Sequence, residues 1–205
     1  MATFDDRPAP DSVVTLDDGT QILLRMFTPA DRETVKEAFR RLSPDSRYYR
    51  FWSKQDGVPD SLLNSFLNAE PGRHETWAAL DPDRPDEPGY GGGSFWRSKT
   101  DPDSAEISFT VADECQHKGI GNLLLAVVWI RAAQCGIKKL CGYALPDNYA
   151  VLDWFRALGA KMTLSSGHFQ FVLPLDEAGL KESHTSAKLK AALREVERFL
   201  VSPAS

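Results

Sequence analysis

Two groups of residues in this 205-residue chain have types and spacing suited to chemistry. The first is "QHKGIG", residues 116–121, a polar knot that follows an alternating segment and runs straight into apolar sequence. Glycine at such a strand-to-helix junction lets backbone amides approach an anion. No Cβ stands in the way, and the first N–H groups of a helix have no partner within it. A tight connection would use the same glycines for their conformational freedom alone. The second group is built on the run "SAEISFTVA", which places Ala105, Ile107, Phe109 and Val111 on one face and Glu106, Ser108 and Thr110 on the other. A carboxylate at Glu106 suits proton transfer, or plain exposure on an open sheet face. Other reactive side chains do not converge: His74, His117, His168 and His184 are scattered, and Cys115, Cys135 and Cys141 lack paired CxxC spacing. Neither a metal site nor a disulfide framework is expected.

Neighbouring residues discriminate among the phosphate-binding schemes that use such glycines. A P-loop needs Lys followed by Ser or Thr after its last glycine, where this chain has Asn122 and Leu123. A dinucleotide fingerprint wants a third small residue where Leu124 stands. It also wants an acid at the end of the next strand, where Leu145 and Pro146 stand.

The elements that must position these groups are legible from periodicity. "VVTLDDGTQILLRMF" reads as a hairpin turning at Asp18-Gly19. Helices are expected over "ADRETVKEAFRRL", over "DSRYYRFW" with Ser43 as N-cap and Pro44 in the first turn, and over "PDSLLNSFLNA". "ETWAAL" and "YGGGSFWRS" read as strands around an acidic, proline-rich loop, "DPDRPDEPG", expected to hold no structure. After the alternating strand come a helix from Ile120 to about Gln134, a strand at "KKLCGYAL", a helix at "NYAVLDWFRAL" and a closing strand pair ending in "HFQFVLPL". From Asp176 the chain is charged and helix-favouring, with Leu189, Leu193, Val196 and Leu200 forming one apolar stripe, packed on the domain or on a second copy. Alternating strands and helices around a central strand-helix-strand-helix unit predict an α/β class with a mixed sheet.

Against this pattern, "QHKGIG" resembles the Gln/Arg-x-x-Gly-x-Gly/Ala loop of the GCN5-related N-acetyltransferases (GNAT). "DNYAVLDWFRALGA" resembles that family's second motif, Asn-x-x-Ala-x-x-x-Tyr-x-x-x-Gly-Phe, with Asn148 and Gly159 at the matching separation. The resemblance covers roughly residues 13–175 and implies one domain there: a mixed, mostly antiparallel sheet with splayed central strands and flanking helices. A flexible lead over 1–12 and a helical extension over 176–205 would flank it. It implies acetyl-CoA as cosubstrate, its pyrophosphate held by Gln116, Lys118, Gly119, Ile120, Gly121 and Asn122, with Lys118 as electrostatic helper. Thr110, Val111 and Asn148 complete the implied cofactor contacts, and no metal takes part.

A narrower likeness concerns the acceptor. "RLSPDSRYYRFW" after "GTQILLRMF" looks like the start of the acetyltransferase domain of bacterial protein lysine acetyltransferases, whose "AEF" glutamate, assigned as general base, is matched by Glu106 in "AEI". Tyr48, Phe51 and Trp52 of that segment serve equally well as core residues. The implied reaction is direct attack of a primary amine on the acetyl group, with protein lysine as leading acceptor. A small-molecule amine, or a non-catalytic acyl-CoA-binding module, stand as alternatives. An amine with a pKa of about 10.4 is overwhelmingly protonated at neutral pH, so the site must remove a proton. Asp113 and Glu114, beside the expected phosphates, are expected to turn to solvent. Two departures from the family pattern stand out: Phe155 occupies the place of the tyrosine that reprotonates the leaving thiolate, and Ala160 replaces a phenylalanine. Either the thiolate then leaves unprotonated, or Tyr143, otherwise a core tyrosine, or water supplies the proton.

Composition bounds the partners. A formal charge of -5 and a pI near 5.4 argue against general nucleic-acid binding, which needs a surplus of Lys and Arg. No apolar run reaches membrane-span length, and "MATFDDRPAPDS" lacks the apolar segment of a signal peptide. An odd number of thiols fits a reducing compartment, so a cytoplasmic monomer or homodimer is expected.

Overall fold

The computed structural model describes residues 11–52 and 57–200. Apart from Asp11 and Ser12, the lead expected over 1–12 lies outside the described residues, and Ser12 already belongs to the first strand. Strands β1 (Ser12–Thr15) and β2 (Gln21–Met26) form the expected hairpin. Gly19 takes a φ of +86° there, and the Asp18 carboxylate accepts the Thr20 N–H at 2.9 Å. Helices α1 (Arg32–Arg41), α2 (Pro44–Phe51) and α3 (Asp60–Leu67) follow. Then come β3 (His74–Leu80), β4 (Gly91–Arg97), β5 (Ser104–Val111), α4 (Ile120–Gln134) and β6 (Lys139–Ala144). The chain closes with α5 (Tyr149–Leu158), β7 (Lys161–Ser165), β8 (His168–Pro174) and α6 (His184–Leu200).

All eight strands join one sheet in the order β1-β2-β3-β4-β5-β6-β8-β7. Every neighbouring pair is antiparallel except β5 and β6. This is the mixed α/β sheet that the element order predicts, and its one parallel pair is the strand-helix-strand unit crossed over by α4. That pair is short. Its register runs Ser104↔Lys139, Ala105↔Leu140 and Glu106↔Cys141 and goes no further, although β5 continues to Val111 and β6 to Ala144. Past Glu106 the two strands part and leave a gap between them.

Two apolar layers hold the sheet from opposite sides. On one, α4 is buried along almost its whole length, from Leu123 to Ala132. A helix that is apolar all round must be covered all round. Here the sheet covers one side, and α6 covers the other through Leu189, Leu193 and Val196, all buried in the same core. The stripe at the C-terminal end is therefore spent on its own chain. Arg131 of α4 anchors the helix to β3, donating to both oxygens of the buried Glu75 carboxylate at 2.7 and 2.9 Å. On the other side, Val35, Phe39 and Leu42 pack with Leu63, Phe66 and Leu67 as a smaller cluster that Phe51 of α2 also touches.

Two local expectations are corrected. The acidic loop over 81–89 holds two turns organised by Arg84, whose side chain reaches Asp81 at 3.0 Å and Glu87 at 3.4 Å. No α2 residue is fully buried, and Trp52, at its end in the left-handed conformation, is 44% exposed.

Candidate functional site

The parting of β5 and β6 opens a cleft of about 1310 Å³, larger than the roughly 300–1,000 Å³ usual for small-molecule sites. Its floor is β5 from Glu106 to Val111; its rims are the 116–122 segment, α2 and α5. Glu106 sits at the last paired position before the strands separate, so its side chain stands at the apex of the gap. Burial pushes its carboxyl pKa up, against the opposing pull of the Arg50 charge.

Arg50 is a residue that sequence periodicity did not single out. Its Nε donates to Thr110 Oγ1 at 3.0 Å, and its guanidinium lies over the Phe51 and Phe66 rings at 5.4 and 5.3 Å. Burial draws its pKa down to about 10, which still leaves it cationic at neutral pH. The signal was present as one cation inside the aromatic run "YYRFW".

The glycine knot has the geometry an anion site needs. Gly119 caps α4 with a φ of +94°, and a Cβ built there would meet nothing within 4 Å. The backbone conformation, not crowding, demands glycine, and the space above the first N–H groups of α4 is open. At Gly121 a Cβ would lie 3.5 Å from the Trp154 ring, whose Nε1 donates to Asn122 Oδ1 at 2.8 Å. Trp154 thus fastens α5 beside the knot, a second residue that motif reading passed over.

Of the residues expected to hold the cosubstrate, Thr110, Val111, Gln116, Gly119, Gly121, Asn122 and Asn148 all line the cleft with Glu106. Two do not. The Ile120 side chain is buried in the α4 core, leaving only its backbone amide toward the loop. Lys118 is exposed and does not line the cleft. Asn148 uses its side chain to cap α5, accepting the Val151 N–H at 3.3 Å, and Gln116 donates to the Val111 carbonyl at 3.4 Å.

Asp113 and Glu114 are both exposed, as expected beside the knot. Asp113 also accepts hydrogen bonds from Ser43 N, Ser43 Oγ and Ser46 Oγ at 2.8, 2.9 and 2.6 Å, docking the start of α2 onto the loop. Burial raises its pKa, but the hydrogen bonds from Ser46 and Ser43 outweigh that and hold it below the usual value. Acidic residues of the 81–89 loop and of the 98–104 turn do not line the cleft. Asp101 and Asp103 pair with Lys139 and Lys138, each at 2.8 Å, and Pro85, Pro88 and Gly89 line a separate cavity of about 90 Å³ under α1.

Phe155 lines the cleft but is only 1% exposed, stacked on Phe171 with ring centroids 3.8 Å apart. The stack relies on Gly142, where a Cβ would stand 2.4 Å from the Phe171 ring. Tyr143 is 42% exposed and faces the cleft, so the core reading of that residue does not hold; its ring lies edge-on to His168 at 5.3 Å. Among the described residues no group of three or more His, Cys, Asp or Glu stands together as metal ligands. Nor is any of their helices long and apolar enough to cross a membrane.

Comparison with known proteins settles the family. The model of the acetyltransferase (GNAT) domain matches residues 21–161, most of the sheet together with the whole cleft floor and knot. The chain belongs to the GNAT acetyltransferases. Acetyltransferase Pat of Mycolicibacterium smegmatis is 29% identical over 157 residues, covering 75% of this chain and 44% of that longer protein. The crystal structure of the GNAT domain of S. lividans PAT superposes with a TM-score of 0.73 at 22% identity, covering 80% of this GNAT chain and 96% of that one. A phosphinothricin acetyltransferase of the superfamily from Sinorhizobium meliloti, solved in complex with AcCoA, gives a TM-score of 0.60 at 17% identity, covering 80% of this chain and 94% of that one. These two likenesses are of fold. A GNAT acetyltransferase with a splayed β5–β6 pair, a carboxylate at the apex and a glycine knot at the helix start is thus what the sequence builds.

Proposed function

We propose that this GNAT chain transfers an acetyl group from acetyl-CoA to a primary amine, with Glu106 as general base and protein lysine as the acceptor. The observation that carries the reading is the placement of Glu106 at the apex of the β5–β6 gap, in the same cleft as the open amides of the Gly119 knot. Acetyl-CoA supplies an activated thioester carbonyl. The residues that fit it are the α4 amides at 119–121, with Gln116, Asn122 and the freed backbone of β5 at Thr110 and Val111. Glu106 takes one proton from the ammonium, the freed amine nitrogen bonds to the carbonyl carbon, the carbon–sulfur bond breaks to leave a thiolate, and the excess proton still on the nitrogen passes to water, leaving the amide. Phe155 has no proton to return. A thiol pKa of about 8.5 makes departure as thiolate tolerable, and Tyr143 or water at the exposed side of the cleft reprotonates it afterwards.

Protein lysine is favoured over a small amine by the cleft mouth. Trp52 and Tyr143 line it and are 44% and 42% exposed, a surface suited to contact with another macromolecule. The three cysteines are free thiols, in keeping with a cytoplasmic setting. A non-catalytic acyl-CoA module remains the second reading because Phe155 stands where the family tyrosine would.

Release of coenzyme A thiol from acetyl-CoA, with cell extract split into protein and small-molecule fractions, tests the acceptor. Release that requires the protein fraction is expected. Release with the small fraction alone would replace lysine by a metabolite amine, and no release with acetyl-CoA still bound would favour the non-catalytic module.

The pH profile gives a second expected result. As base, Glu106 must be ionised, so the rate falls as pH drops through its raised pKa. Arg50 pulls that pKa down, so Arg50→Gln should move the acid limb of kcat/KM to higher pH than in the wild type. An unmoved limb would separate Arg50 from the charge of Glu106.

A further inference from the structure

The cleft has a wall from a segment outside both motifs. Ser183 caps α6 by accepting the Ser186 N–H at 3.0 Å, and its hydroxyl donates to the Ala157 carbonyl at 2.8 Å; Ser186 Oγ reaches the same carbonyl at 3.3 Å. These bonds tie the start of α6 to the last turn of α5. His184 and Lys188, one turn apart, then line the same cleft as Gly119, Gly121 and Asn122. Trp154, bonded to Asn122, bridges the knot to this wall along α5.

Charge decides what the wall meets. Coenzyme A carries a pyrophosphate and a 3′-phosphate, the latter at the end remote from its sulfur. With the thioester at Glu106 and the pyrophosphate at the knot, the 3′-phosphate lies beyond the knot. Among the described residues, the cationic side chains lining the cleft are those of Arg50 and Lys188. Arg50 is bonded to Thr110 deep on the Glu106 side. Lys188 is exposed and forms no ion pair among the described residues, while the one acid on the adjoining α5 face, Asp153, pairs with Arg156 at 3.1 Å. Lys118, the cation nearest the knot in sequence, does not line the cleft.

We infer that Lys188, assisted by His184, binds the 3′-phosphate of coenzyme A, so that α6 is part of the donor site. The inference rests on the acetyl-CoA reading above. Its test compares calorimetric affinities of the full chain for coenzyme A and for 3′-dephospho-coenzyme A. A charge-assisted contact predicts that the wild type prefers coenzyme A by about fivefold or more. Lys188→Ala should bring the two affinities together, Lys188→Arg should restore the preference, and Lys190→Ala, outside the cleft lining, should keep it. A preference that survives Lys188→Ala, or a wild type that does not discriminate, would overturn the inference and leave the cofactor reading standing. Failure to bind either compound would overturn both.

Discussion

Glu106→Gln should lower the rate of acetyl transfer by about 10²–10⁴-fold while leaving acetyl-CoA affinity unchanged, the range expected when a positioned base is lost. The substitution keeps shape and removes only the basic oxygen. Among the described residues the Glu106 side chain is felt by the charge of Arg50 and forms no side-chain hydrogen bond, so the fold loses little. Its raised pKa makes it a better base than a free carboxylate, since a higher pKa narrows the gap to the amine it must deprotonate. Single-turnover assay with saturating acetyl-CoA and a calorimetric Kd separate the two effects. A fall in affinity that matched the fall in rate would make Glu106 a binding residue, and an unchanged rate would remove it from the chemistry.

The fold was legible because its periodicities are strong: the β5 alternation, the apolar α4 run and the Asp18-Gly19 turn each mark their element without help. The apex position of Glu106 follows from where β5 and β6 stop pairing, which alternation cannot show; alternation gives the face of a side chain and not the end of a register. The contacts of Arg50, Trp154 and Asp113 escaped for a common reason. Each acts across tens of residues, Asp113 on Ser43 and Trp154 on Asn122, and such pairings have no period to read. Lys118 was drawn to the knot by adjacency in sequence, but His117 enters it at a φ of +62° and Lys118 is left on the outer surface. Phe155 lines the cleft and its departure from tyrosine is visible in the sequence, whereas the stack on Phe171 that fixes it depends on Gly142, whose role only the β6–β8 register reveals.

The knot offers the sharpest separation of structure from binding. At Gly119, φ is +94° and a side chain would project into open space, so replacement strains the backbone without a clash; about 1–2 kcal/mol is the usual cost for an L-residue in left-handed backbone, less for Asn or Asp. Gly119 is also the N-cap of α4, where Asp and Asn stabilise a helix comparably and a negative charge is favoured by the dipole. The free Gly119→Asp protein should thus be at least as stable as Gly119→Asn. Binding should run the other way. Both side chains enter the space left for the pyrophosphate, but only the aspartate sets charge against charge. At about 4 Å that repulsion is roughly 1–4 kcal/mol between bulk-water and near-surface dielectric. Gly119→Asp should therefore bind acetyl-CoA more weakly than Gly119→Asn by a factor of about five to several hundred, a gap that narrows as salt screens it. Thermal melts paired with calorimetry at two ionic strengths read both halves. Equal affinities for the two variants would place the pyrophosphate away from the knot, whatever their stabilities.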